Sequence, residues 1–584
     1  MNDRWDLSYL YQGFDDPKYE SDLKTLQEKI ADLGKLLEKS EDDRTHLESL
    51  MDAQEEISSL IDRVSSFSSL TLAVDANNQD AARYDDKLNV IFNDLSLISS
   101  GITRYVGSLT NLEELIAASP KLQTVAFALR EMASEASHLI PAEIEPWILQ
   151  MRLSGGTAFS QLRDKLDSNH TVLYRGQELP LPAVRGMAYD PDASVRKDAY
   201  EAEIASYKKM ELPMAYCLNS IKMEARTLAK AKKYDSVLDM TLSQSRMDRE
   251  TLDAMWTAIR EYLPHFRRYL RAKAKYLGYE DGLPFYDLFA PVGHGAKTYT
   301  IEEARAKLLQ EMGKFTPKMA EFMDNAFEQR WIDLYPREGK TGGAFCAGVH
   351  CYDRSLVMTN FQGSFSDVST IAHELGHAWH NRCLAGLPYC MISTPMPLAE
   401  TASIFNETML AHQVLSSATE EEQFTLLENS LMETTQTVVD IYSRFLFESE
   451  VVDTRADHVM SVEELKNAML RAQDASYGDG LAKDVRHPYM WACKSHYYSS
   501  GLNFYNFPYA FGLLFGKGVF AQYLKKGDAF VDDYCRLLRY CGSDTVANVA
   551  ASVGIDVRSV DFWRSSLEVI KQDIDRFCEL CEKQ

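Results

Sequence analysis

Apolar residues at Leu23, Leu26, Ile30, Leu33 and Leu37 step by threes and fours, which sets them on one stripe of a long helix. The same spacing continues through Leu47, Leu50, Ile57 and Ile61, with charged residues filling the positions between. Such stripes suit an intermolecular coiled coil or helices packed within one helical domain, and the second reading is adopted. Helical texture with few breakers runs to about Leu153 and is punctuated by Ser154, Gly155 and Gly156. Thr171 to Pro180 predicts two short strands around Gly176, stopped by Pro180 and Pro182. The helical period returns from Asp190 through Ala199, Ile204 and Met210. The chain therefore divides into a helical N-terminal domain, 1–190, and a larger domain, 191–584. Between Pro336 and Gln362 glycines gather at 342, 343 and 348, and Leu356 to Phe361 reads as a strand just ahead of a helix start. Helices then resume to the end. The expected fold is mainly α, with a small β-sheet beside one central helix.

Composition narrows the function. Of 584 residues, 62 are Lys or Arg and 86 are Asp or Glu, a formal charge of −24. So acidic a chain is a poor partner for nucleic acid, whose phosphates need a basic face, and for anionic membranes. The N-terminus carries no charged-then-apolar signal pattern. The most apolar late stretch, Tyr509 to Leu524, is broken by Gly512, Gly516, Lys517 and Gly518, so no membrane span is expected. The ten cysteines show no disulfide framework. Cys578 and Cys581 form a lone C-x-x-C, read as a helix end rather than a metal site. The expected compartment is the reducing cytoplasm.

The chemistry is concentrated in Thr370-Ile-Ala-His373-Glu374-Leu-Gly-His377-Ala-Trp-His380. H-E-x-x-H on a helix stacks two histidines on one face, where both imidazoles reach one Zn²⁺ and the intervening Glu374 points at the water beside it. Asp367 is the expected N-cap of that helix, and Gly386 with Pro388 its stop. His380 lies a turn deeper and is assigned to packing. His350 and His487 are candidates for lining a channel, and Cys346 and Cys351 are given no role.

The third ligand follows by elimination. Metzincins place a histidine six residues beyond the second motif histidine; that position here is Cys383, and His380 stands where their glycine belongs. Between Ala378 and Ala399 there is no Asp or Glu, so the first available carboxylate is Glu400, 23 residues beyond His377. It lies early in a new helix, after Pro395 and Pro397, with Glu407 two turns later on the same side. A glutamate returned to the metal by a helix–loop–helix is the gluzincin arrangement. Glu407 is then either the residue that orients a motif histidine or an ordinary solvated carboxylate.

At these residues the chain resembles the M3 metallopeptidases, specifically their oligoendopeptidase F branch. The likeness is carried by Asn360-Phe-Gln-Gly-Ser-Phe-Ser-Asp-Val-Ser-Thr-Ile-Ala-His-Glu-Leu-Gly-His377 and by Ala399-Glu-Thr-Ala-Ser-Ile-Phe-Asn-Glu407. Lys340-Thr-Gly-Gly-Ala344 is similar to the family's glycine loop, and the texture extends from Trp5-Asp6-Leu7 to the last helices. The resemblance implies a two-lobed, multi-helical zincin-type fold with a deep channel, and hydrolysis of short peptides rather than folded proteins. It implies His373, His377 and Glu400 as the ligands of one Zn²⁺ and Glu374 as the catalytic residue. It also implies a histidine and a tyrosine facing the substrate across the metal, here among His496, Tyr505 and Tyr509, as donors to the oxyanion. The segment around Pro508 departs from the family pattern, so the choice between the tyrosines stays open.

The expected activity is that of a zinc-dependent endopeptidase with Glu374 as general base. The strand near Leu356–Phe361 is expected to pair with the substrate backbone, and Gly342 and Gly343 to let a loop approach it closely. Two rival readings stand beside this one: a peptide-binding or chaperone-like protein with a non-catalytic zinc, and a helical scaffold with an accidental motif. Structural zinc usually takes four protein ligands, whereas three are evident here. The pattern does not address oligomeric state or cleavage preference.

Overall fold

The computed structural model describes residues 3–38, 42–293 and 297–583. Its first three long helices are Pro17–Leu37, Asp43–Val74 and Gln79–Ser108, and they pack side by side. The predicted stripe is their seam: Leu23, Leu26, Ile30, Leu33, Leu47, Leu50 and Ile57 are buried, while Leu37 and Ile61 are half-buried at its margin. Each helix starts on a side chain that accepts from an unpaired backbone N–H, namely Asp16, Asp42 and Asn78.

Strands β1 (Thr171–Tyr174) and β2 (Gln177–Pro180) form the expected hairpin. Its two-residue turn, Arg175 and Gly176, has φ of 46° and 83°, the left-handed pair that matches the strand twist.

The second sheet positions the site. It contains β3 (Ile332–Asp333), β4 (Phe345–Val349) and β5 (Arg354–Met358), in the order β3–β5–β4, with β5 parallel to β3 and antiparallel to β4. The strand expected to receive substrate is thus the central one, and that expectation is corrected. Both edges of β5 are taken, and beyond it Thr359 and Phe361 donate to Asp333 and Leu334. The far side of β3 is covered too, because Asp6 donates to Arg330 O and Leu334 to Asp3 O. Among the described residues the open edge belongs to β4.

Alternation along these strands ties the molecule together. Val349, Leu356 and Met358 point into a core otherwise built from residues 5–129 and Met391, whereas Val357 points into the much larger core that runs from Val172 to Leu580. The second core holds the helix Phe365–Leu384, fastened to the sheet by Asn381 Nδ2 donating to Ser355 Oγ at 3.1 Å. Among the described residues no helix is long and apolar enough to cross a membrane.

Candidate active site

The helix Phe365–Leu384 begins three residues earlier than expected. Ser364 is its N-cap, accepting from Asp367 N at 3.1 Å, and the Asp367 carboxylate accepts from Ser364 N at 2.9 Å. Asp367 is therefore the third residue of a capping box, where a carboxylate satisfies a second orphan donor. Two turns on, His373 and His377 stack on one face, their rings 4.9 Å apart.

Glu400 faces them from the junction between the short helix Met396–Ala399 and the helix Thr401–Ser417. Its Oε2 lies 3.2 Å from His373 Nε2 and 3.3 Å from His377 Nε2, and the three ligand atoms all fall within 4.8 Å of one another. Ser403 Oγ donates to the same carboxylate oxygen at 2.6 Å. Two glycines permit this approach. A Cβ on Gly376 would lie 2.7 Å from Ala402 O and 2.8 Å from Ser403 Cα, so only glycine lets the two helices touch here. A Cβ on Gly512, in the helix Phe507–Lys526, would lie 3.1 Å from Glu400 Cβ.

His373 Nδ1 meets Glu407 Oε1 at 3.0 Å, the orienting contact weighed for that residue. Burial works to lower the His373 pKa, but hydrogen bonds to Glu400 and then Glu407 overcome it and hold it at about 10. Burial likewise acts to raise Glu400, and the two histidines keep it far below the carboxylate range. The cluster is thus organised around positive charge, supplied by protons on the imidazoles or by a cation among them. A tetrahedral ligand set at ~2.0–2.1 Å from zinc has edges of about 3.3 Å, so the two His–Glu separations fit such an ion.

Glu374 is buried, at 5% exposure, and its Oε2 has no hydrogen-bond partner. Burial, ahead of every other cause, raises its pKa, as befits a proton acceptor. Cys346 of β4 is close enough for the Glu374 charge to help raise its thiol after burial, which places the open strand edge alongside this carboxylate. The glycine loop ahead of β4 is held by Asn360 Nδ2, which donates to Thr341 O and Gly343 O, and by Lys340, which pairs with Asp333 at 2.7 Å. Gly343 has a φ of 83°.

His496, Tyr505 and Tyr509 come together in one cluster. The His496 ring lies 5.4 Å from Tyr505 and 5.9 Å from Tyr509, with its Nδ1 buried and unpartnered. Burial, then the charges of Arg444 and Lys494, lower its pKa to about 4, so it is neutral near pH 7. Burial and then a hydrogen bond with Tyr505 push the Tyr509 phenol up. Tyr509 stands one helical turn before Gly512, the residue against Glu400.

The loop carrying Tyr505 is held by a buried ion pair that the sequence pattern did not disclose. Lys222 Nζ meets Glu448 Oε1 at 2.6 Å, and Asn503 Oδ1 accepts from the same ammonium at 3.1 Å. Glu448 in turn accepts from Phe504 N and Asn506 Nδ2. Asp440 and Arg444, which flank His496, sit at the end of a five-residue π-helical turn, Gln436–Asp440, and just beyond it. No spacing rule flags such a turn, although π-bulges concentrate at functional sites. His380 is turned away, and its Nε2 donates to Leu538 O at 3.1 Å. His350 lines a cavity behind the motif helix, and His487 lines a second one near Lys494.

The family model described as Peptidase family M3 matches residues 186–569. The chain belongs to peptidase family M3. Oligopeptidase PepF of Bacillus subtilis is 24% identical over 489 residues, which span 81% of this chain and 71% of that one. A solved structure from Chlamydophila abortus superposes with a TM-score of 0.85 at 22% identity, covering 99% of this chain and 98% of its own. Oligoendopeptidase-F from Enterococcus faecium gives a TM-score of 0.73 at 18% identity, covering 97% and 99%. This M3 peptidase falls in the oligoendopeptidase F branch, has the mainly helical two-lobed fold, and is a metallo-endopeptidase acting on oligopeptides.

Proposed function

We propose that the protein cleaves internal bonds of short peptides at a single zinc ion held by His373, His377 and Glu400. The observation that carries this is the convergence of three ligand atoms beside the buried, partnerless carboxylate oxygen of Glu374. Bound there, zinc supplies Lewis-acid polarisation of the scissile carbonyl and of the attacking water. Glu374 takes a proton from that water as its oxygen attacks the carbonyl carbon, and returns it to the amine nitrogen as the C–N bond breaks. His496, with Tyr505 or Tyr509, donates to the oxygen that gains negative charge. Glu407 fixes the tautomer and orientation of the His373 ring. The outer edge of β4 takes the peptide backbone as an added strand, which gives affinity with little demand on sequence.

The domain division at 190/191 and a cytoplasmic location belong to the same proposal; the ten unpaired cysteines are in keeping with a reducing compartment. The test is digestion of a mixed peptide library by the zinc-loaded protein, with product ends read by mass spectrometry and folded proteins as controls. Internal cleavage confined to short peptides, abolished by a chelator and restored by zinc, is expected. Zinc and peptide binding without any cleavage would favour the peptide-binding alternative.

A further inference from the structure

Two residues before His496, Lys494 lines a side cavity of about 290 Å³, at the small end of ligand pockets (~300–1,000 Å³) and suited to one residue rather than a folded partner. Lys494 thus stands in the cavity wall and two residues from His496, whose imidazole its charge reaches.

The cavity's other charged groups are paired. Arg185 meets Glu203 at 2.6 Å, His487 reaches the same carboxylate at 3.2 Å, and Arg196 meets Asp287 at 2.6 Å. Lys494 alone has neither a hydrogen bond nor an ion pair among the described residues. The acid that acts on it, Asp440, is already gripped by Arg444 at 2.5 and 2.7 Å. Burial first, then the Arg444 charge, hold the Lys494 ammonium below the ordinary lysine value, the direction for a cation short of its counter-ion. A half-buried ammonium without a protein counter-ion is left to water, and a carboxylate that displaces the water gains a charge-assisted hydrogen bond. Around it stand aromatic walls, with Tyr189 and Phe289 rings 5.0 Å apart and Tyr200 and Tyr286 rings 5.7 Å apart.

We infer that this cavity receives a carboxylate of the peptide substrate on the Lys494 ammonium, with the aromatic walls holding the residue that bears it. The carboxylate is either the free C-terminus or an Asp or Glu side chain. In a protein of net charge −24, a local cation is what retains an anionic peptide end against the overall field. Lys494 thereby sets specificity for the proposed hydrolysis, and the inference rests on that reading.

The experiment compares three quenched peptides of one core sequence with the zinc-loaded protein: a free acid without Asp or Glu, its C-terminal amide, and an amide with one added Glu. If the α-carboxylate is the ligand, amidation raises KM about tenfold with kcat little changed, the cost of one charge-assisted hydrogen bond. If a side chain is the ligand, the added Glu lowers KM for the amide by a similar factor. Lys494→Met should erase whichever difference is found, and Lys494→Arg should keep most of it. Equal KM for all three peptides in the wild type overturns the inference without recourse to any variant, as does a difference that persists in Lys494→Met. A wild type that cleaves none of them overturns the peptidase reading and the inference together.

Discussion

Glu407 Oε1 lies 3.0 Å from His373 Nδ1, on the side of the ring away from Glu400. A carboxylate there fixes the ring's tautomer and leaves Nε2 free to bind a metal. Glu407→Ala is expected to weaken zinc affinity by ~10–100-fold, measured by competition with a chelator of known affinity. Glu407→Gln should lose less, because its carbonyl oxygen still accepts from Nδ1–H.

Gly376 is fixed by contact with Ala402. A methyl group there meets backbone atoms, which cannot swing aside as a side chain would. Gly376→Ala should destabilise the fold by about 1–3 kcal/mol and displace Glu400 from the histidines. A lowered melting temperature together with lost zinc stoichiometry is expected; a variant that keeps both would show that the helix contact is softer than its geometry implies.

Glu374 touches no other polar partner through Oε2, so replacing it leaves no broken network behind. Glu374→Gln is expected to retain zinc and fold while turnover falls by about 10²–10⁴-fold. Metal analysis and peptide cleavage on the same preparation check this, and wild-type turnover would reject Glu374 as the base.

Lys222 and Glu448 are both buried, and Glu448 holds the Phe504 backbone N–H and the Asn506 side-chain amide on either side of Tyr505. Lys222→Met leaves the Glu448 charge unpaired, at a cost of about 3–5 kcal/mol. Denaturant titration should show that loss. The double variant Lys222→Met/Glu448→Leu should recover much of the stability but not the peptidase rate, because Asn506 and Phe504 lose their acceptor.

The convergence of His373, His377 and Glu400 was legible because its chemistry is local. Two histidines one turn apart declare a helix face, and the carboxylate-free stretch from Ala378 to Ala399 leaves Glu400 as the first acid in reach. The N-cap was misplaced because a capping box puts polar residues at both ends of its reciprocal bond, and Ser364 and Asp367 look alike as starts. The open strand edge was misplaced because a run of apolar residues reports burial, not edges; only the sheet order shows that β5 is central and β4 outermost. Lys494 was invisible for a stronger reason. Its significance is the lack of a partner, a property of residues from distant segments such as Arg185, Asp440 and Arg444.

The sheet is shared by two interiors, Leu356 and Met358 rooted in one and Val357 in the other. A shortened chain without its first 130 or so residues would keep every catalytic side chain yet present a bare oily plate behind the reaction chamber. Such a fragment should clump rather than work, which makes this amino-terminal segment a scaffold for catalysis and not a detachable accessory.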